Sequence, residues 1–322
     1  MIAPTFFGYR NKIAEEIGNM GGEVKIVNAY PDKYFYMLLN AFKYFKLPSE
    51  WLIRRFEDKQ YKQAAKSKYD HVLVICGTYI TSYLVKKIKE NLLNDEGRMT
   101  LYYWDSISLL KDDQKRVTLF DSVYTFDYND YVANKEKMNF LPLFYCNEYR
   151  QKSEKEKHNY NLATIGSYKY DRYFMIRSLK EKNPHVKVLS YLYTQQSVFM
   201  IHKLLRKKYR EIRTVDLSFK KLTSDEIRRI YSDVDAILDI PRTGQNGLTM
   251  RTFECLAMKK KLVTTNDSVK YYDFYNPQNI YVMDEKTLDL PSKDWFNNPY
   301  VEYKEGLIEN YSISSWIGKV LS

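Results

Sequence analysis

At 322 residues the chain is too long for one ordinary core, so two domains are expected. A hydrophobic content of 44% belongs to a globular protein, and the sequence has no apolar run of about 18 residues that would cross a bilayer. A formal net charge of +11 with 31 tyrosines raises three partners: nucleic acid, an anionic membrane surface, or a nucleotide-bearing substrate. The basic excess is spread over both halves and no nucleic-acid motif accompanies it, which argues against nucleic acid.

The N-terminus, MIAPTFFGYRNK, lacks a charged segment followed by an apolar core and is not patterned as a signal peptide. A short apolar stretch at 1–4 leads through a loop at 5–9 into a helix over 11–20. Gly21-Gly22 stops that helix before a strand at 23–27. Aromatic-rich helical sequence follows at 34–46 and 50–66. Strands recur at 71–76, 100–104, 122–125 and 139–141, with a helix over 82–93 joining the first two. This is an open α/β domain of about five strands.

Residues 151–159, QKSEKEKHN, are charged and free of apolar side chains, the pattern of a linker. Beyond them the alternation restarts with a strand at 162–165, a helix over 173–182 stopped by Asn183-Pro184, and a strand at 186–193. A helix over 198–209 and a strand at 214–217 come next. Thr223-Ser224-Asp225-Glu226 then opens a helix with good N-cap chemistry. Strands at 236–240, 262–265 and 280–283 complete the domain, with helices at 251–258 and 269–274 between them. The expected division is therefore 1–152, 153–310 and a terminal helix over 311–322. That helix either packs on the C-terminal domain or crosses back to brace the N-terminal one.

The most informative stretch is 236–266, a β-α-β unit whose loop carries Arg242, Thr243, Gly244, Gln245, Asn246 and Gly247. In parallel sheets ligands bind at the carboxyl ends of strands, where loops meet helix N-termini with free N–H groups and partial positive charge. Arg251 lies in the first helical turn, where a cation opposes the helix dipole unless an anion is near. Arg242 is placed to form the second arm of a diphosphate clamp. Glu254, one turn on from Arg251, can accept hydroxyl groups of a ribose or hexose; the alternative is that it simply pairs with Arg251 on the helix surface.

The segment GQNGLTMRTFECLAMKKKLVTTN resembles the donor-site segment of GT-B glycosyltransferases. It is closest to a bacterial branch of capsule, exopolysaccharide and lipopolysaccharide clusters akin to CgeB-type transferases. LYYWDSISLL, VYTFDYND, LPLFY and LATIGSYKYDR resemble that branch too, so the likeness runs from about residue 2 to 284. The chain departs from the pattern at Lys259-Lys260-Lys261, where a glycine turn is usual, and near Asn246, where a first acidic residue is usual. The resemblance implies two Rossmann-like doubly wound domains facing each other across a cleft. A nucleotide-sugar donor is held mainly by the second domain, and a glycan or lipid-linked acceptor faces the first. Carried over by position, Gln245, Gly247, Leu248 and Thr249 meet the sugar and phosphates. Arg251 or Arg242 balances the diphosphate, and Glu254 holds hydroxyls. Gly166 and Ser167, after the first strand of the second domain, either touch phosphate or form an ordinary strand-to-helix turn.

Asp105 ends the strand at 100–104 and either deprotonates an acceptor hydroxyl or caps the segment 106–111. Phe6, Phe7, Gly8 and Tyr9 follow the first strand and can stack on an acceptor sugar, or be buried as core. Asp233-Val-Asp235 has the spacing of a metal-binding pair but lies at the wrong end of its strand, and reads as a helix-end turn. With only four histidines, no metal or other cofactor is expected. Cys76, Cys146 and Cys255 read as reduced core residues of a cytoplasmic protein. The aromatic and basic helices at 34–66 suit either a core with a solvated face or peripheral contact with the inner membrane surface. The expected function is sugar transfer from a nucleotide-diphosphate sugar in surface polysaccharide synthesis. The alternative is a non-catalytic nucleotide- or glycan-binding module on the same fold.

Overall fold

The computed structural model describes residues 1–5, 8–45, 48–107, 114–150, 158–242 and 244–322, excepting the side chains of residues 33, 40, 43, 114 and 115. Phe6, Phe7, Thr243, most of the expected linker (151–157) and the segment 108–113 lie outside them. The chain divides into two units. One comprises Met1–Leu143, Gly244–Gly247 and Tyr311–Ser322, and the other Phe144–Thr243 and Leu248–Asn310.

The first unit opens with β1 (Ile2–Ala3), α1 (Tyr9–Asn19), β2 (Val27–Asn28), α2 (Lys33–Tyr44) and α3 (Glu50–Ala64). It continues through β3 (Tyr69–Ile75), α4 (Ser82–Asn91), β4 (Leu93–Tyr103), β5 (Ser122–Thr125), α5 (Tyr128–Ala133) and β6 (Asn139–Phe140). Among the described residues these strands form one parallel sheet in the order β2-β1-β3-β4-β5-β6. The run Val72 to Ile75 is buried on successive residues, as a central strand covered on both faces must be. Leu84, Val85 and Ile88 of α4 face the same core at helical spacing, each contributing about 1.5–3 kcal/mol by burial. β1 and the edge strand β2 are only two residues long, shorter than the apolar pattern suggests, and pair in register Ile2 with Val27.

The second unit contains β7 (Tyr160–Ser167), α6 (Tyr170–Lys182), β8 (Val188–Tyr193), α7 (Gln196–Leu205), β9 (Leu217–Ser218) and α8 (Ser224–Ser232). It ends with β10 (Val234–Asp239), α9 (Met250–Ala257), β11 (Lys261–Thr264), β12 (Ile280–Val282) and α10 (Lys293–Asn297). Among the described residues its parallel sheet runs β12-β11-β10-β7-β8-β9. The chain therefore adds strands to one side of β7, then crosses to the other side to lay down β10, which creates a topological switch point between β7 and β10. The capping box at Thr223 and Glu226 forms as its spacing suggests. Residues 214–216, read as strand, are instead a 3-10 turn, and the helix expected over 269–274 is a 3-10 turn over 267–271.

The terminal helix α11 (Ile313–Leu321) belongs to the first unit. Trp316, 2% exposed, lies edge-on to Tyr102 at 4.8 Å and tilted against Trp104 at 6.4 Å. Tyr124 donates its hydroxyl to the Lys319 carbonyl at 3.0 Å, and Ser314 donates to Glu16.

Candidate active site

The carboxyl ends of β7 and β10 gather most of the second unit's candidate residues. β10 ends at Asp239, 1% exposed, whose carboxylate accepts from the Arg251 guanidinium at 2.7 Å and from the Thr249 hydroxyl at 2.7 Å. Thr249 is the N-cap of α9, but its hydroxyl serves Asp239 and makes no cap bond; Lys169, the N-cap of α6, makes none either. Two helices thus point N-termini at the switch point without a side-chain cap among the described residues, leaving N–H groups for a ligand. Arg251 also donates to the Tyr231 hydroxyl at 2.9 Å, so its ion partner is Asp239 rather than the Glu254 expected as one alternative.

Arg172, in the first turn of α6, reaches across the same gap. It donates to the Ile240 carbonyl at 2.9 Å and to the Ser167 carbonyl at 2.9 Å. Gly166 lies under both arginines: a methyl group there would meet the Arg172 guanidinium at 3.1 Å and the Arg251 guanidinium at 3.4 Å. A larger residue would push the two apart, which explains glycine at this strand end. Ser167 presents its backbone carbonyl to Arg172.

The electrostatics are unbalanced. Burial pulls Arg251 down, but Tyr231, Asp239 and Glu254 outweigh it and hold the guanidinium above its ordinary value. Arg172 has no carboxylate bonded to it among the described residues; burial first, then the charge of Arg251, draws its pKa down to about 10. It stays cationic at neutral pH, at an energetic cost. Burial, then Arg242 and Arg172, likewise hold Lys169 below its ordinary value. Around this strand end Lys169 and Arg172 are each held down by burial and by neighbouring arginines, a local excess of positive charge, while the carboxylates of Asp239 and Glu254 support Arg251. An anion seated between the arginines would relieve that excess.

Glu254 is 5% exposed, and its charge helps to hold the Tyr149 and Tyr231 phenols above their usual range, behind the effect of burial. Leu248, expected against the donor, is 1% exposed and part of the core. Gly244–Gly247 belongs to the first unit, where buried Asp127 accepts from the backbone N–H groups of Asn246 at 3.2 Å and Gly247 at 3.1 Å. The same carboxylate takes the Ser106 hydroxyl and caps α5 through the N–H of Asn129 at 3.0 Å. Gly247 lies against the Phe126 ring, so that any side chain would collide with it, and Gln245 donates to the Gly247 carbonyl at 3.3 Å.

In the first unit Asp105 follows β4 at the carboxyl edge of the sheet, with the Cys76 thiol 3.9 Å from its carboxylate. Burial, then the Asp105 charge, push that thiol far up, so Cys76 is a protonated core residue. Gly8 is the N-cap of α1, and the Tyr9 ring lies 5.9 Å from that of Trp104, the residue before Asp105. Tyr9 and Asp105 thus share one sheet edge; Phe7 lies outside the described residues. Asp233 caps α8, while Asp235 binds His158 at 2.8 Å and Asn161 at 2.8 Å, so the two acids serve local structure.

Sequence reasoning missed Arg172, Asp239 and Asp127. Arg172 carried the same signal as Arg251, a cation in the first turn of a helix that follows a parallel strand. Asp127 showed only as an acid at the N-cap of a short helix.

No protein-family model matches this sequence, and no curated protein matches it. Solved structures do. A glycosyltransferase from Rickettsia africae superposes with a TM-score of 0.60 at 12% identity, covering 99% of this chain and 96% of that one. An alpha-glucosyltransferase solved with UDP and a 13-mer DNA gives 0.58 at 14% identity, over 100% and 92%. Anabaena HepE solved with UDP and glucose gives 0.51 at 10% identity, over 95% and 83%. The chain has the GT-B fold, two Rossmann-like α/β units each built on a six-stranded parallel sheet.

Proposed function

We propose that the protein is a glycosyltransferase that moves a sugar from a nucleoside-diphosphate sugar to a glycan or lipid-linked acceptor in bacterial surface polysaccharide synthesis. The observation that carries this reading is the pair of guanidinium groups over Gly166, flanked by two uncapped helix N-termini and short of compensating charge. A diphosphate is an anion of suitable charge for that place. When the bond between the anomeric carbon and the β-phosphate oxygen breaks, negative charge grows on the departing diphosphate. Arg172 and Arg251, with Arg242 and Lys169 nearby, would stabilise it without reorganising. The reading assigns that neutralisation to side chains, with no metal cofactor. Glu254 supplies the carboxylate for donor hydroxyls, and Asp105 is assigned to take the proton of the acceptor hydroxyl as its oxygen bonds to the sugar.

The UDP in two of the similar structures favours a uridine nucleotide. Surface polysaccharide as the product rests on the sequence resemblance. Among the described residues no helix is long and apolar enough to cross a membrane. Exposed Tyr34, Tyr44, Phe45 and Trp51 alongside the basic residues of α3 support peripheral contact with the cytoplasmic face of the inner membrane. The test is a melting screen with UDP, GDP, CMP and dTDP, followed by release of the nucleotide from its sugar conjugates by wild type and Glu254→Gln. A raised melting temperature with one nucleotide and turnover lost in the variant are expected. Failure of every nucleotide to shift the melt would sink the reading. Binding without release would leave a nucleotide-binding module.

A further inference from the structure

The second unit carries an apolar surface unrelated to the anion site. α7 reads QSVFMIHKLL, and of its apolar residues only Phe199 is buried, at 1% exposure. Val198, Met200, Ile201, Leu204 and Leu205 are exposed at 42%, 51%, 55%, 76% and 74%. At 3.6 residues per turn these five fall in one arc of roughly 160°, opposite the side on which Phe199 enters the core. A single exposed leucine on a surface is ordinary; a contiguous ridge of this kind marks an interaction site.

The surroundings of the ridge indicate its partner. The chain leaves α7 directly into Arg206-Lys207-Lys208, followed by Arg210 and Arg213. Among the described residues Arg206, Lys207 and Arg210 form no ion pair, and Arg213 reaches Asp216 only at 3.9 Å. Lys208 rests over the Tyr170 ring at 4.9 Å. A protein groove would set carboxylates at fixed places against such cations. Long flexible cations bordering an aliphatic ridge instead suit a fluid anionic surface, where the stems pack on the acyl boundary and the charges meet headgroups. We propose that α7 and the basic segment after it dock the second unit onto an anionic lipid bilayer, a contact separate from that of α2 and α3 and independent of the transfer chemistry.

The test is sedimentation of the full chain with phosphatidylcholine vesicles, with and without phosphatidylglycerol, at low and high salt. Wild type should pellet with the anionic vesicles and be released by salt. Two sets of changes at exposed positions, Ile201→Gln with Leu204→Gln and Leu205→Gln, and Arg206→Gln with Lys207→Gln and Arg210→Gln, should each weaken binding by roughly tenfold or more while leaving the melt unchanged. Tyr44→Ser with Trp51→Ser, on the other unit, should leave a residual binding that the α7 changes remove. Undiminished vesicle binding by both α7 variants would overturn the assignment. So would light scattering that finds a wild-type dimer converted to monomers by the apolar variant, since a second copy would then cover the ridge. Nucleotide binding is not the readout, so failure here is distinguishable from failure of the transferase reading.

Discussion

Replacing Arg172 with methionine separates an anion-binding role from a structural one. A methyl group on Gly166 would lie 3.1 Å from one guanidinium and 3.4 Å from the other, so the two nitrogens stand no more than about 6.5 Å apart, where unit charges repel by about 2.5 kcal/mol at an effective dielectric constant near 20. Asp239 offsets part of that repulsion through Arg251. Methionine removes what remains, while the hydrogen bonds to the Ile240 and Ser167 carbonyls, about 0.5–1.5 kcal/mol each, are lost. The two effects nearly cancel, and the ligand-free variant should unfold in urea within about 1 kcal/mol of wild type. Binding of UDP should suffer far more, because a charge-assisted bond to phosphate contributes about 1.5–3 kcal/mol. Titration calorimetry should therefore show affinity weakened by about 10- to 150-fold, since 1.4 kcal/mol is a factor of ten. A variant that loses several kcal/mol of stability yet binds UDP as wild type does would show that Arg172 only ties two strand ends together.

Other expectations follow from single contacts. Glu57 is fully buried and accepts from the Thr81 N–H at 2.6 Å and hydroxyl at 2.7 Å, and burial raises its pKa above the ordinary 4.5. A raised carboxyl pKa means the folded state prefers the proton, so this contribution is fully present below 4.5 and is lost as pH rises through the folded value. Glu57→Gln keeps an acceptor for Thr81 and should melt higher than wild type at pH 7, with the advantage shrinking towards pH 4.5; an equal difference at both would refute the cause. Gly247→Ala drives a methyl group into the Phe126 ring and should cost about 1–3 kcal/mol in urea unfolding; a neutral result would mean the ring moves freely. Trp316→Ala should cost about 3–5 kcal/mol, given its burial against Tyr102 and Trp104, and a loss under about 1 kcal/mol would show that α11 braces nothing.

Much of the fold is legible from local pattern. The apolar run at 72–75 can only be a strand covered on both faces, and Thr223 with Glu226 marks a helix start whatever lies around it. The loop after β10, with a cation in the first turn of the next helix, has the pattern of an anion site because helix N-termini carry free N–H groups in every parallel sheet. Those facts depend on neighbours in sequence. The partner of Arg251 does not: it is Asp239 because β10 ends beneath the first turn of α9. The reach of Arg172 to Ile240, 68 positions on, follows from β7 and β10 lying side by side, an order set by strand pairing. The same holds for Gly244–Gly247, whose N–H groups are bound by Asp127, and for α11, whose tryptophan completes a core begun by Tyr102. Sequence alone therefore determined that a cation stands in the first turn of a helix that follows a parallel strand. Only the tertiary structure decided which charges are paired and with what, because compensation of charge acts through space between strands far apart in the chain.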